Sequence, residues 1–158
     1  MGDQRALARV YALKGRPVER PSAVMYFSLD AAEPVLSKLG PRTFAAVERL
    51  LPGPVLAVLP GDEGIRIPSL VGALEPLGAV RAAVVQTSAN LTGGPDARRL
   101  ADVPEELRTG VDIVLDGGEL PGIASTVVDL RRYESEGAWD VVREGALSLD
   151  ELKIALRS

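Results

Sequence analysis

The sequence predicts a single α/β domain built on a mixed β-sheet, and three patterns lead there. Short apolar runs of strand length alternate with segments of helical period. Glycine and proline punctuate most junctions, with 16 glycines and 12 prolines in 158 residues. Near the C-terminus two apolar runs flank a polar excursion, the pattern of an antiparallel hairpin joined to an otherwise α/β order. The length suits one core, so residues 1–158 are expected to form one domain.

Leu7, Val10, Tyr11 and Leu13 make the apolar stripe of a first helix. Asp3 is placed to cap its start and Gly15 its end. Ala23 to Leu29 reads as a strand. Asp30 and Glu33 resemble a capping box, with Pro34 in the first turn of a helix that stops at Gly40-Pro41. Phe44, Val47, Leu50 and Leu51 mark the next helix, ended by Pro52-Gly53-Pro54. Val55 to Leu59 and Ile65-Arg66-Ile67 read as strands around a glycine-rich turn. Ser69 is expected to cap a helix carrying Leu70, Val71, Leu74 and Leu77. Ala82 to Val85 reads as a buried strand, and Arg98 to Leu107 as a loop with short helical turns. Ile113 to Leu115 is expected to be a strand, followed by a turn at Asp116-Gly117-Gly118. Thr126 to Leu130 and Val141-Val142 form the hairpin, with Arg131-Arg132 solvated at its tip. Ser148 and Glu151 make a capping box for a last helix.

Composition removes whole classes of chemistry. The chain has no cysteine and no histidine, which excludes thiolate nucleophiles, disulfides, the usual zinc sites and histidine acid–base catalysis. What remains is Lys, Arg, hydroxyls, Asn, carboxylates, backbone N–H groups and a bound magnesium ion. That set suits binding phosphate and stabilising negative charge. The net charge of −4 argues against an all-basic surface but allows a local cationic groove. The longest apolar runs are too short to span a bilayer and no signal peptide opens the chain, so a cytoplasmic location is expected.

Five polar islands interrupt the apolar pattern. Thr87-Ser88-Ala89-Asn90-Leu91-Thr92-Gly93-Gly94 follows a strand, where α/β proteins usually bind ligands. Ser88 and Asn90 are two apart and share a face in extended chain, so they suit one phosphate or a hydrated magnesium ion. A plain turn is the bland reading of the same residues. Lys14 and Arg16 flank a glycine, either as phosphate clamp or as cations complementing a helix dipole. Arg66 between two isoleucines is either an edge-strand guard or an anion ligand. Ser125-Thr126 reads first as the β-propensity opening of a strand. Arg143 is either a ligand group or half of a surface ion pair with Glu144. Asp116 lacks the partners that would make a metal site.

The order of these islands resembles the YrdC-like family. It is carried by Lys14-Gly15-Arg16-Pro17, Leu51-Pro52-Gly53-Pro54, Ile65-Arg66-Ile67-Pro68, Thr87-Ser88-Ala89-Asn90, Ser125-Thr126-Val127-Val128-Asp129 and Val142-Arg143-Glu144-Gly145-Ala146. The resemblance runs from about Ala6 to Ala146. It implies a three-layer sandwich with a twisted mixed β-sheet and a concave positive cleft. The family's enzymes are threonylcarbamoyl-AMP synthases, which are nucleotidyltransferases. They combine L-threonine, bicarbonate and ATP with Mg2+ and release pyrophosphate, and the product serves tRNA modification. Members have also been regarded as binders of double-stranded RNA, so a non-catalytic RNA- or nucleotide-binding module is the alternative.

Position by position, the resemblance implies that Lys14 and Arg16 hold the ATP phosphates as the catalytic cations. Ser88 and Asn90 would contact the triphosphate and its magnesium, with Thr87 lining the same wall. Arg66 would fix the threonine end, Ser125 would line the nucleotide pocket and Arg143 would bind nucleotide. Family enzymes carry a strand and a proline–threonine–aspartate–threonine segment upstream of the lysine-x-arginine helix. This sequence begins inside that helix, so the resemblance implies a missing first strand. A truncated start, a partner subunit or homodimer that fills the gap, and a divergent non-synthase are the three readings of that difference.

Overall fold

The computed structural model describes residues 3–15 and 23–157. They fall into two compact units, one of Ala23–Gln86 with Ile123–Ser158 and one of Met1–Ser22 with Thr87–Gly122.

The first unit carries the whole sheet. Its strands are β1 (Ala23–Met25), β2 (Val55–Val58), β3 (Gly64–Arg66), β4 (Val84–Gln86), β5 (Thr126–Asp129) and β6 (Asp140–Arg143), in the spatial order β4-β1-β3-β2-β5-β6. Pairs β1–β3 and β2–β5 are parallel; β1–β4, β2–β3 and β5–β6 are antiparallel. The expected mixed sheet and C-terminal hairpin are therefore both present. The polar excursion of that hairpin holds a short helix, α5 (Tyr133–Glu136).

The core follows the period of two along the strands. Val55, Ala57, Ile65, Ile67, Val128 and Leu130 are fully buried, and Val47 and Leu50 of α3 (Pro41–Leu50) and Leu152 of α6 (Leu149–Ala155) pack with them. Burying each such aliphatic side chain contributes roughly 1.5–3 kcal/mol. Ile65 of β3 and Ile67 just beyond it both take the core side, which turns Arg66 to the opposite face.

Helix ends show where local sequence suffices and where it does not. Ser148 and Glu151 form the expected capping box of α6. The helix α2 (Leu29–Leu36) starts earlier than expected. Ser28, not Asp30, is its cap, with Oγ accepting from the Ala31 N–H at 3.1 Å. Pro34 consequently lies inside that helix rather than in its first turn. The start of α3 has no cap of its own. Glu134 supplies one from α5, accepting from the Thr43 N–H at 2.8 Å. Gly40 leaves room for this cap: a Cβ there would stand 2.2 Å from the Glu134 carboxyl carbon and displace it. The α5 turn is fastened from both sides: the Arg42 guanidinium lies 5.3 Å over the Tyr133 ring, and the Tyr133 hydroxyl donates to the Leu156 carbonyl at 2.9 Å.

Three expected elements differ. Ser69 caps nothing: the segment Gly72–Ala79 is a 3-10 helix that buries no residue, because Pro76 inside it denies the α-helical bonding pattern. The run before Thr87 is not a buried strand. β4 pairs with β1 only, at the sheet's end, and leaves Val84 39% and Val85 37% exposed. Ile113 to Leu115 form no strand, and their side chains are exposed.

The second unit is built on α1 (Gln4–Lys14) and α4 (Glu105–Gly110). Asp3 caps α1 as expected, accepting from the N–H groups of Arg5 and Ala6, and Gly15 ends it in the left-handed conformation at φ 57°. The two helices pack closely where Leu13 meets Gly110; a Cβ on that glycine would stand 2.4 Å from the leucine. Arg9 secures the contact through Asp112 at 2.7 Å and the Gly110 carbonyl at 2.7 Å. Asp116-Gly117-Gly118 is the expected turn, with the Gly118 N–H donating to Asp116 at 2.9 Å. No helix among the described residues is long and apolar enough to cross a membrane.

Candidate functional site

The unit of α1 brings together Lys14, Ser88 and Asn90. Lys14 ends α1, and its ammonium is buried rather than solvated as a simple dipole-complementing cation would be. Its Nζ donates to the Ser88 carbonyl, to Asn90 Oδ1 at 3.1 Å and to Ser88 Oγ at 3.4 Å. Ser88 Oγ in turn donates to Asn90 Oδ1 at 2.7 Å. Asn90 is itself buried, and its amide donates to the Gly94 carbonyl at 2.7 Å and to Asp96 at 3.2 Å. Thr92 closes the arrangement from the other side: its hydroxyl and its N–H both donate to the Lys14 carbonyl. The serine–asparagine loop is thus a built structure around one lysine, and not a plain turn. Ser88 remains exposed on it and Thr87 half-buried. Arg16 lies outside the described residues.

The sheet unit brings together Arg66, Ser125 and Arg143. The strand order places β3 between β1 and β2, in the sheet's interior. An edge-strand guard is therefore ruled out for Arg66. The side chain is half-buried, and its Nε is fully buried with no hydrogen-bond partner among the described residues. Burial pushes the guanidinium below the usual arginine range, and the positive charge of Arg143 pushes the same way. Arginine nonetheless keeps its proton at neutral pH. Six other arginines find carboxylates: Arg9, Arg81, Arg98, Arg99, Arg131 and Arg132. Among the described residues no carboxylate pairs with Arg66 or Arg143. The alternative reading of Arg143 as half of an ion pair with Glu144 or another carboxylate is not met among the described residues; Arg143 donates to the Ser125 carbonyl at 2.8 Å.

Sheet register explains how two distant arginines come to share a face. Met25 is paired with Arg66, Ala57 with Ile65, Leu56 with Val127 and Val127 with Arg143. Arg66, Leu56, Val127 and Arg143 thus form one cross-strand row on one face. The last step depends on a β-bulge. Val128 pairs with Val141 and Val127 with Arg143, leaving Val142 as the extra residue, 63% exposed. Without it Arg143 would stand opposite Thr126, on the buried face.

A half-buried, underbonded cation beside a second cation is unfavourable unless an anion comes to it. The Arg66–Arg143 face is accordingly suited to a carboxylate or phosphate. The Lys14–Ser88–Asn90 loop offers hydroxyl and backbone groups to the same kind of ligand. Among the described residues no group of three or more acidic side chains is placed to hold a metal ion.

Two residues close in sequence to Ser125 and Arg143, Thr126 on the core face and Gly145 after β6, hold structural places that the sequence pattern did not assign. Thr126 looks like an ordinary strand threonine, yet it is fully buried and bonds both ways with Leu147. Gly145 touches the Ser125 backbone so closely that a Cβ would stand 2.2 Å from the Ala124 carbonyl oxygen. The signal was present as a glycine two residues beyond a strand arginine.

The chain matches the Sua5/YciO/YrdC family, described as "Telomere recombination", over residues 1–145. It is 27% identical over 165 residues to a threonylcarbamoyl-AMP synthase of Pyrococcus abyssi, covering 96% of this chain and 47% of that one. It is 35% identical over 136 residues to a threonylcarbamoyl-AMP synthase of Xanthomonas campestris pv. campestris, covering 75% and 71%. Its structure is similar to P. abyssi Sua5 complexed with L-threonine, with a TM-score of 0.80 and 28% identity, covering 97% of this chain and 48% of that one. The chain spans about half the length of the Pyrococcus relative. With the family matched over nearly its whole length and the α/β fold shared, the chain belongs to the Sua5/YciO/YrdC family.

Proposed function

We propose that the chain forms threonylcarbamoyl-AMP from L-threonine, bicarbonate and Mg2+–ATP. The observation that carries this reading is Arg66, a charged side chain in the sheet interior with a buried, unpartnered Nε. A substrate carboxylate would satisfy it, and L-threonine is the ligand bound in the Sua5 structure of similar fold. The reaction balances with groups that this chain can serve. The threonine nitrogen joins the bicarbonate carbon with loss of water. The carbamate oxygen then bonds to the α-phosphorus of ATP, and pyrophosphate leaves.

Such chemistry needs positioned phosphates and neutralised charge, not a histidine or cysteine. In this reading Arg66 takes the threonine carboxylate. Ser125 and Arg143 hold the nucleotide. Lys14 shapes the loop from which Ser88 and Asn90 meet phosphate and its magnesium, and Arg16 adds a further phosphate contact. A reaction that consumes ATP and serves tRNA modification belongs in the cytoplasm.

The test is pyrophosphate release by the purified chain, with L-threonine, bicarbonate, ATP and Mg2+ each omitted in turn, and the product identified by mass. Release that requires all four supports the reading. ATP turnover indifferent to threonine and bicarbonate counts against it.

A further inference from the structure

Arg143 is exposed, and among the described residues its side chain makes one hydrogen bond, to the Ser125 carbonyl, which persists only if the segment that carries Arg143 is itself fixed. Something else must fix the chain that carries it. Three contacts do so, all between the segment entering β5 and the segment leaving β6. The Ala146 N–H donates to the Ala124 carbonyl at 2.9 Å. Gly145 lies flat against the backbone of Ser125 and Thr126, where any side chain would collide. The Thr126 hydroxyl donates to the Leu147 carbonyl at 2.6 Å and accepts from the Leu147 N–H at 3.0 Å.

Of the three, only the last uses a side chain. Thr126 is fully buried and its own N–H is spent on the Pro54 carbonyl at 3.0 Å, so the hydroxyl has no strand duty. A hydroxyl that both donates to and accepts from one residue sets that residue's distance and its orientation together. Valine has nearly the same shape and the same strand propensity and would pack equally well there. What only a hydroxyl supplies is the grip on Leu147.

We propose that Thr126 is a positioning residue: its two-way bond to Leu147 fixes the turn that follows β6 and thereby holds the Arg143 guanidinium at the Ser125 carbonyl, on the anion-binding face. The ligand part of this inference rests on the nucleotide reading above. The positioning part does not, and the experiment separates them.

Thr126→Val, Thr126→Ser, Arg143→Ala and Thr126→Val combined with Arg143→Ala are compared in the full chain. One readout is the side-chain Nε–H resonance of Arg143 in the free protein, which reports whether the guanidinium is held. The other is affinity for Mg2+–ATP by calorimetry. Thr126→Val is expected to collapse the Arg143 resonance to its solvent-averaged position and to weaken ATP binding by about three- to tenfold. Thr126→Ser is expected to preserve both, and Thr126→Val is expected to add nothing in the Arg143→Ala background. A held Arg143 in Thr126→Val overturns the proposal, as does a released Arg143 in Thr126→Ser, which also decides the matter should the valine variant not fold. A released Arg143 in Thr126→Val, in a chain that binds no ATP at all, supports the positioning role and refutes the nucleotide reading.

Discussion

Arg66 and Arg143 stand in one cross-strand row of the sheet, on one face, because Val142 is the extra residue of a β-bulge. Burial, and then the charge of Arg143, both act against the Arg66 cation. No acid of the chain relieves them among the described residues. The face therefore carries an unfavourable pairing of cations that a bound anion would relieve.

Removing that charge should cost ligand and not fold. In Arg66→Met the buried, unpartnered Nε disappears while the stem's packing is kept. The melting temperature is expected to stay the same or rise by a few degrees, at about 2–4 °C per kcal/mol for a chain of this size. A fall of similar size in a thermal scan would show that Arg66 has an internal partner after all.

Lys14→Met should behave in the opposite way. Losing the ammonium leaves the Ser88 carbonyl without its charged donor and the buried Asn90 Oδ1 with the Ser88 hydroxyl alone. A loss of about 1.5–3 kcal/mol is expected in denaturant unfolding, since hydrogen bonds to a charged group are involved. Hydrogen exchange should quicken at Thr92 and Gly94, whose N–H groups close the loop. Unchanged exchange there would separate Lys14 from the loop's order.

Gly145→Ala should destabilise the chain by about 1–3 kcal/mol, as overpacking does. The added Cβ meets backbone, the Ala124 oxygen and the Ser125 carbonyl carbon, and not a flexible side chain that could move aside. A neutral result in chemical denaturation would mean that the turn after β6 is free to shift.

Asp129 anchors Arg131, which bridges to Asp62 as well. The Arg131 hydrogen bonds hold the Asp129 carboxyl below the usual carboxylate range despite some opposition from burial. A carboxyl whose pKa is lower folded than unfolded stabilises above its unfolded pKa, and that contribution fades as pH falls through the folded value. Asp129→Asn is therefore expected to lower stability at neutral pH and to match the parent at acid pH, below the usual carboxylate range. Parallel stability curves for the two chains across that range would remove the pair from the account.

Much of this arrangement was legible in the sequence where its cause is local. Asp3 and Gly15 bound α1, and Ser148 with Glu151 starts α6, because a cap acts within a few residues. The mixed sheet followed from the alternation of strand and helix runs, and the polar islands do build two defined groups. What could not be read depends on contacts far along the chain. Lys14 is buried by partners 74 and 76 residues away, and α3 is capped by Glu134, 91 residues beyond Thr43. Nor does a period of two reveal which residue is extra, so the bulge at Val142 was hidden. The apolar run Ile113-Val114-Leu115 misled for a related reason: strand propensity describes a fit to a neighbouring strand, and the described residues provide none there.

The most direct test is calorimetric titration of L-threonine into the parent chain and into Arg66→Met, with D-threonine as control. The account predicts saturable binding of the L-form to the parent, weakened on the order of tenfold or more in the variant, with the fold intact. Equal affinity in both chains, or no binding to the parent, would contradict the assignment of this interior arginine to a substrate carboxylate.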